Sequence, residues 1–131
     1  MEIKKIVACV DLTPTSIKGL EWAVELAKKF NAELVIYHEL EDVYTMKKTS
    51  ASFGLPAAPD LEEKSAQNVK DKLEPLVKET GVNYKFLIEA KGKTIDRLPV
   101  VIDEEKPELT VIPVDYERDI PKINSQVLVI K

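Results

Sequence analysis

Three side chains near the ends of apolar runs have the chemistry to act on a ligand. Asp11 directly follows a short apolar run, His38 closes a second one, and Cys9 lies within the first. An aspartate at a strand end can accept hydrogen bonds from a ligand, and a histidine can exchange a proton near neutral pH. Nucleophilic catalysis would need a second group beside them, and the sequence places no serine, cysteine or acid to act with His38.

Each of these side chains also has a structural interpretation, which the sequence leaves open. Asp11 could be a solvated carboxylate or a partner of Thr13 in capping the helix that follows. His38 could be a satisfied or solvent-exposed residue at a strand end. Cys9 fits best as a small core residue, because a reactive thiol needs exposure and a cationic neighbour. We therefore predict no catalytic residue.

The sequence does not indicate a metal site. Its single cysteine excludes an internal disulfide and any cysteine-based metal centre. The acidic runs Asp103-Glu104-Glu105 and Glu62-Glu63 are expected to be solvated helix faces. Metal binding would require ligands that converge from several elements, and the sequence gives no sign of such convergence.

Composition narrows the classes of partner. The 131 residues carry a net charge of −4, which argues against nucleic acid or an anionic membrane as the main partner. The only arginines are Arg97 and Arg118, so few residues could clamp a phosphate in a bidentate manner. The chain has 4 glycines, against roughly nine expected at average usage, so the backbone can approach a ligand closely in few places. An apolar run close to the N-terminus leaves no secretory signal, and we expect a cytoplasmic protein.

Buried strands must position these residues, and the spacing of apolar side chains predicts where they lie. Apolar runs at 3–10 and 34–38 predict buried strands, those at 109–112 and 127–130 predict two further strands, and the alternating segment 83–89 predicts an edge strand. Helical spacing follows Thr13-Pro14 and ends at Asn31, and Asp60 and Asp96 are predicted to cap two further helices. Strands that alternate with helices indicate one α/β domain, residues 1–131, with a mainly parallel five-stranded sheet covered on both faces.

Two connecting segments interrupt this pattern. Residues 41–59 show no consistent period and predict a long loop, which could cover a ligand or contact a partner through Tyr44, Met46 and Phe53, or could simply pack on its own domain. Residues 115–126 form only a short link before the last strand.

The first forty residues resemble the universal stress protein (UspA-like) family. The residues that carry this resemblance are Val10-Asp11, Ser16, Leu20, Trp22-Ala23, Leu26-Ala27, Ala32-Glu33-Leu34 and His38. Further along the chain, Pro107-Glu108-Leu109 is placed like the segment before the family's fourth strand. The resemblance implies a flavodoxin-like sandwich of the adenine nucleotide alpha hydrolase type, with strand order 3-2-1-4-5. It also implies a homodimer paired through the last strands.

Many members of this family bind ATP through a glycine-rich loop after the fourth strand, and this chain departs from that motif. The corresponding residues are Pro113-Val114-Asp115-Tyr116, and Asn124-Ser125 stands where the family has Gly-Ser. Converging backbone amides hold phosphate in such loops, whereas proline removes an amide and acidic side chains repel phosphate. The resemblance therefore identifies a divergent member for which we expect no cofactor, with ATP and Mg disfavoured.

If the site binds a ligand, it should lie where the first and fourth strands diverge, because ligands of such sheets bind at that switch point. By the resemblance, Asp11 matches the family's aspartate and Leu40 falls near the residue that faces adenine. The candidate ligand-binding residues are Asp11, Leu12, Leu40, Pro113, Val114, Asp115 and Tyr116.

The resemblance predicts a non-enzymatic stress-response or regulatory protein that acts through unknown protein partners. Its dimer interface would be Val127, Leu128, Val129 and Ile130, an apolar run that is prone to aggregate if uncovered. The alternative is an ATP- or AMP-binding universal stress protein that uses an altered phosphate loop. A third possibility, a small enzyme such as a weak nucleotide hydrolase, has only the fold in its favour.

Overall fold

Five parallel strands form one sheet in the computed structural model, which describes residues 1–131. Parallel neighbours need long crossover connections, and here these are four α-helices and a 3₁₀ segment. The elements follow one another as β1 (Lys5–Cys9), α1 (Pro14–Phe30), β2 (Glu33–Glu39), α2 (Glu41–Ser52), α3 (Leu61–Val77), β3 (Tyr84–Glu89), α4 (Thr94–Glu105), β4 (Leu109–Pro113), the 3₁₀ segment (Val114–Lys122) and β5 (Gln126–Ile130).

The predicted strand order is confirmed. The strands lie side by side as β3-β2-β1-β4-β5, which places β1 in the centre and leaves β3 and β5 at the two edges. β1 pairs in parallel with β2 on one side and with β4 on the other. The carboxyl ends of these three strands therefore meet at one edge of the sheet, where ligands of such folds bind.

Each face of the sheet has its own apolar core, because successive strand residues point to opposite sides. Ile6 and Ala8 of β1 belong to the core beneath α1 and α3, whereas Val7 and Cys9 belong to the core beneath α4. All four side chains are almost completely buried. The prediction of helices on both faces is thus confirmed.

Helix α1 has the ends that its sequence predicts. The Thr13 Oγ1 accepts a hydrogen bond from the backbone N–H of Ser16 at 3.3 Å, and Pro14 occupies the first helical position. Asn31 ends the helix in the left-handed conformation, with φ of 53°. Asp60 occupies the predicted cap position of α3, although its side chain makes no capping hydrogen bond. The predicted cap at Asp96 is wrong, because α4 begins two residues before it, at Thr94.

The prediction of a loop over residues 41–59 is wrong for its first twelve residues, which form α2. Only Val43 of this helix is fully buried, so no apolar stripe repeats at helical spacing. The helix instead begins with the acidic Glu41 and Asp42, which favour its positive N-terminal end. Between α2 and α3, only residues 53–60 have irregular structure.

The short link before the last strand is largely a 3₁₀ segment, which contains Pro121 and departs from helical geometry at Tyr116. Short 3₁₀ pieces of this kind are common as connectors. No helix in the structure combines the length and the apolar character needed to cross a membrane.

Candidate functional site

Asp11 leaves the end of β1 with its carboxylate already engaged by the protein. Its Oδ1 accepts hydrogen bonds from the Thr13 Oγ1 at 2.6 Å and the Thr13 backbone N–H at 3.1 Å. Its Oδ2 accepts a hydrogen bond from the Tyr116 hydroxyl at 2.8 Å. Desolvation alone would raise the pKa of Asp11, but these hydrogen bonds outweigh it and lower the pKa, which keeps the carboxylate ionised. Asp11 therefore does act as a partner of Thr13 at the start of α1, as one of the two structural interpretations predicted.

The next residue, Leu12, occupies a conformation that favours glycine. Its φ is 71°, in the left-handed region, where a Cβ is sterically disfavoured. The backbone at Leu12 thus has a geometry that a glycine would suit. Leu12 compensates by packing its side chain against the core beneath α1.

His38 lies next to Asp11 at the end of β2, with one ring nitrogen fixed. Its Nδ1 is 2.6 Å from the backbone carbonyl oxygen of Val10, so Nδ1 must carry the proton and donate. Desolvation lowers the pKa of His38, which favours the neutral ring at neutral pH. The neutral ring then presents Nε2 as an acceptor, and no protein group bonds to it.

A cavity of about 400 Å³ opens at the carboxyl ends of β1 and β2. Its volume is within the usual range for small-molecule sites. Its apolar lining consists of Leu12, Leu40, Val43 and Val69. Its polar lining consists of Asp11, His38, Glu39, Glu41, Asp42, Ser65, Asn68 and Thr94.

The structure brings together only part of the predicted site. Asp11, Leu12 and Leu40 line the cavity, whereas the segment Pro113–Tyr116 does not. Tyr116 reaches the cavity only indirectly, through its hydrogen bond to Asp11. The candidate site therefore lies on the β2 side of β1, and the β4 side is separated from it by the Asp11–Tyr116 contact.

Sequence reasoning missed two carboxylates that build the wall of this cavity. Glu39 Oε2 accepts hydrogen bonds from the backbone N–H groups of Lys91 at 2.6 Å and Gly92 at 3.1 Å. Glu41 Oε2 accepts from the backbone N–H of Thr94 at 2.9 Å, at the first position of α4. Glu39 and Glu41 flank Leu40 at the carboxyl end of the buried strand β2. Carboxylates at the end of a buried strand were the sequence signal that could have identified them.

Glu39 is unusual because it is buried beside a second carboxylate, Glu89. Desolvation and the neighbouring Glu89 together raise the pKa of Glu39 to about 7. The Tyr37 hydroxyl donates a hydrogen bond to its Oε1 at 2.6 Å. Glu89 is in turn paired with Arg97, whose Nε lies 2.8 Å from the Glu89 Oε2, and this pairing helps to lower the pKa of Glu89.

The electrostatic character of the cavity is acidic. Four carboxyl-bearing residues line it, and no lysine or arginine does. Its single histidine is neutral for the reason given above. An anionic ligand would therefore meet like charges with no lysine or arginine in the lining to compensate them.

The other residues with reactive side chains lie away from this cavity. Cys9 is 3% exposed and belongs to the core beneath α4, where burial and nearby carboxylates raise the pKa of its thiol. No cluster of three or more His, Cys, Asp or Glu side chains could hold a metal ion. Asp119, in the 3₁₀ segment, is 1% exposed, and its Oδ2 has no hydrogen-bond partner. Desolvation raises the pKa of Asp119.

The predicted acidic faces are only partly solvated. Glu62 and Glu63 are exposed in the first turn of α3. Glu105, which we predicted to be solvated, lies 3.4 Å from both the Lys5 and the Lys85 ammonium groups. Its side chain is only 17% exposed. The ion pairs form because the end of α4 packs against the first residue of β1, a contact between elements distant in the sequence.

The three apolar residues of segment 41–59 have different environments. Tyr44 is half-buried against the core, with the Lys48 ammonium 5.4 Å from its ring centre. Met46 and Phe53 are exposed, and neither lines the cavity. The ligand-covering role that the sequence left open for these residues therefore has no support from their placement.

The outer edge of the sheet on the β5 side forms a second surface of interest. Leu128, Val129 and Ile130 line a shallow groove with Trp22 and the stem of Lys18, and Trp22 is 53% exposed. This groove contains most of the predicted dimer interface, and Val127 precedes these residues on the same edge strand.

Comparison with known proteins identifies the family of this chain. A sequence model described as the universal stress protein family matches residues 2–115. A universal stress protein of Aquifex aeolicus is 32% identical over 71 residues, which span 54% of this chain and 53% of that protein. The chain thus matches about half the length of this relative.

Solved structures share the fold at lower sequence identity. The universal stress protein UspA of Lactobacillus plantarum superposes with a TM-score of 0.74 at 14% identity, covering 100% of this chain and 99% of that one. A universal stress protein of Archaeoglobus fulgidus, solved in complex with dAMP, has a TM-score of 0.71 at 20% identity and covers 100% of both chains. Because the family model accounts for most of the sequence and the strand order agrees, the chain belongs to the universal stress protein family.

Proposed function

We propose that this chain is a non-enzymatic, homodimeric universal stress protein with a stress-response or regulatory role exerted through protein partners. It would be a divergent member that does not hold ATP in a glycine-rich loop. The observation that carries this proposal is the Asp11–Tyr116 hydrogen bond, which occupies the β4 side of the site. The residues from Pro113 to Ser125 contain no glycine, so amides cannot converge on a phosphate without a Cβ nearby.

Charge supports the same conclusion about ATP. Asp115 and Glu117 follow β4 directly, at the first turn of the 3₁₀ segment. Negative side chains at this position would repel a triphosphate. The absence of an assembled nucleophile and base beside His38 gives no support to a hydrolytic role.

The two edges of the sheet support the dimer. The edge strand β3 carries Lys85, whose ammonium pairs with Glu33 at 3.6 Å, and such charges discourage association between edges. The edge strand β5 has no charged residue between Gln126 and Ile130. Its unpaired backbone groups and the exposed Trp22 beside it favour pairing with the same strand of a second copy.

Two measurements test this proposal. We expect light scattering at micromolar concentration to give twice the 14.8 kDa mass of one chain. We also expect Mg-ATP at millimolar concentration to leave the melting temperature unchanged. A ligand present at a hundred times its Kd would stabilise the fold by about 2.7 kcal/mol, so binding would be easily detected. A 14.8 kDa species would refute the dimer, and a clear Mg-ATP shift would refute the loss of ATP binding.

The second candidate is an ATP- or AMP-binding universal stress protein with an altered phosphate loop. The cavity at Asp11 and Leu40 favours it, as does the fold shared with the A. fulgidus protein solved with dAMP. This candidate predicts that AMP or ATP raises the melting temperature and that nucleotide is retained through purification. The absence of a shift with ATP, ADP and AMP would eliminate it.

A further inference from the structure

Two buried glutamates lie side by side at the carboxyl ends of β2 and β3. Glu39 and Glu89 are partners in the parallel ladder, so their side chains point to the same face of the sheet, the one that α4 covers. They are 4% and 8% exposed. Two neighbouring carboxylates repel each other when both are ionised, and burial strengthens this repulsion. The pair therefore needs positive charge or a proton to compensate it.

The cations near the pair engage only one of the two carboxylates. Arg97 of α4 donates hydrogen bonds to Glu89 from Nε at 2.8 Å and from Nη2 at 3.4 Å. The Lys91 ammonium lies 3.8 Å from the Glu89 Oε1, but its side chain is 63% exposed, so solvent screens it. No lysine or arginine forms an ion pair with Glu39. Glu39 is thus the member of the pair that gains most from a proton.

The other titratable groups around the pair supply no positive charge. The Tyr37 hydroxyl donates to the Glu39 Oε1 at 2.6 Å, and burial raises the pKa of Tyr37, so this hydroxyl remains a donor. Cys9, next to Tyr37 in the ladder, is buried with a raised pKa and stays a neutral thiol. Glu41 is bonded to the start of α4, and His38 points to the opposite face of β2. A shared proton is the compensation that remains.

Glu39 also holds the turn formed by residues 90–93, which we call the β3–α4 turn. Its Oε2 accepts hydrogen bonds from the backbone N–H groups of Lys91 at 2.6 Å and Gly92 at 3.1 Å. The Arg97 side chain packs on the same turn, since a Cβ at Gly92 would lie 3.2 Å from the Arg97 Cγ. Repulsion between Glu39 and Glu89 would therefore act directly on this turn.

We propose that Glu39 and Glu89 share one proton, and that this proton makes the contact between β2 and the β3–α4 turn sensitive to pH. With the proton present, a carboxyl group on Glu39 donates to the Glu89 carboxylate, which keeps its pairing with Arg97. As the pH rises the proton passes to water, the two carboxylates repel, and the turn loosens. This inference goes beyond the proposed function and needs neither nucleotide nor dimer, so its failure would leave that proposal standing.

The sign of the effect follows from the raised pKa of Glu39. Its value in the folded protein is about 7, against an ordinary value of 4.5. The stabilisation by the shared proton is therefore fully present below pH 4.5 and is lost as the pH rises through about 7.

The carboxyl ¹³C resonances of the unaltered protein test the shared proton directly. We expect the side-chain carboxyl of Glu39 to titrate with a midpoint of about 7, and the Glu89 resonance to shift over the same pH range because the two groups are coupled. A Glu39 midpoint at its ordinary value of 4.5 or lower would overturn the inference.

Hydrogen exchange of the Lys91 and Gly92 amides tests the effect on the turn. Between about pH 5 and pH 7 the equilibrium constant for local opening should rise about tenfold per pH unit, because each opening then releases one proton, and it should level off at higher pH. An opening equilibrium that stays constant across this range would overturn the proposed pH sensitivity.

The substitution Glu39→Gln identifies the residue responsible. Glutamine is neutral at every pH, keeps a carbonyl oxygen for the turn and offers an N–H donor to Glu89. We expect it to abolish the pH dependence of the two amides and to keep them protected above neutral pH. Glu21→Gln makes the same chemical change on the exposed side of α1 and should leave the pH profile unchanged. A profile that persists in Glu39→Gln, or that both substitutions alter alike, would contradict the assignment.

Discussion

The hydrogen bond between Tyr116 and Asp11 offers the sharpest test of how the site is built. The substitution Tyr116→Phe removes the hydroxyl but keeps the ring that packs against the core beneath α4. The hydroxyl lies 2.8 Å from the Asp11 Oδ2. Hydrogen bonds to charged groups contribute about 1.5–3 kcal/mol when buried. Since both residues are only half-buried, we expect the free energy of unfolding to fall by about 1 kcal/mol.

The pH dependence of this loss has a defined sign. Hydrogen bonding lowers the pKa of Asp11 in the folded state below its ordinary value of 3.8. The stabilisation is therefore fully present above pH 3.8 and is lost as the pH falls through the folded-state pKa. Urea unfolding should show the full deficit of Tyr116→Phe at pH 7 and a smaller deficit in strong acid.

Two comparisons make the measurement specific. In an Asp11→Ala background, Tyr116→Phe should cost less than about 0.5 kcal/mol, because the acceptor is already gone. The control is Tyr84→Phe, since the Tyr84 hydroxyl lies 3.5 Å from Glu74 at an exposed position and should contribute almost nothing. The reasoning is refuted if Tyr116→Phe costs no more than Tyr84→Phe, or if its cost is the same without the Asp11 carboxylate.

Three further outcomes follow from the structure. Asp119→Asn should raise the unfolding free energy at pH 7 by about 1 kcal/mol, because it removes a buried carboxylate without a partner for Oδ2. Urea unfolding should show this gain shrinking as the pH falls toward 3.8, because the raised pKa of Asp119 means that the folded protein binds the proton at a higher pH than the unfolded chain. A lower free energy of unfolding for Asp119→Asn at pH 7 would contradict the prediction. If the proposed dimer forms through β5, Val129→Lys on that edge should give a 14.8 kDa species in light scattering, whereas the matched Leu87→Lys on the β3 edge should leave the proposed dimer intact. Cys9 should react with a thiol reagent only as fast as the protein unfolds, because its thiol is buried with a raised pKa, and rapid labelling of native protein would contradict this.

Much of the fold was predictable because its strands are local patterns. The strands β1, β2 and β4 have continuous apolar sequences because both of their faces are covered. The edge strand β3 is less buried, and its sequence alternates between apolar and polar residues. Helix α2 was not predictable in this way. Only Val43 of that helix is fully buried, so its stability does not depend on an apolar stripe that a sequence could display.

The sequence predicted where in the fold the candidate site lies, but not the contacts that its residues make. Asp11 and Leu40 follow buried strands, and parallel topology brings such positions to one edge of the sheet. The partners of these residues were not visible in the sequence. Tyr116 is 105 positions from Asp11, and nothing in the local pattern of either residue indicates that they form a hydrogen bond.

The beginning of α4 shows the same division between sequence and tertiary structure. By itself the sequence determines that a helix follows β3, and its best local cap is Asp96. In the folded chain Glu41, 53 positions away, accepts the hydrogen bond from Thr94, and the helix begins at Thr94, two residues before Asp96. Sequence thus determined the strands and the edge of the sheet where a ligand of such folds would bind, because these depend on burial patterns along the chain, and the family resemblance gave the strand order. Tertiary structure decided which carboxylates are engaged and which side of the site stays open, because those contacts join residues that only the folded sheet brings together.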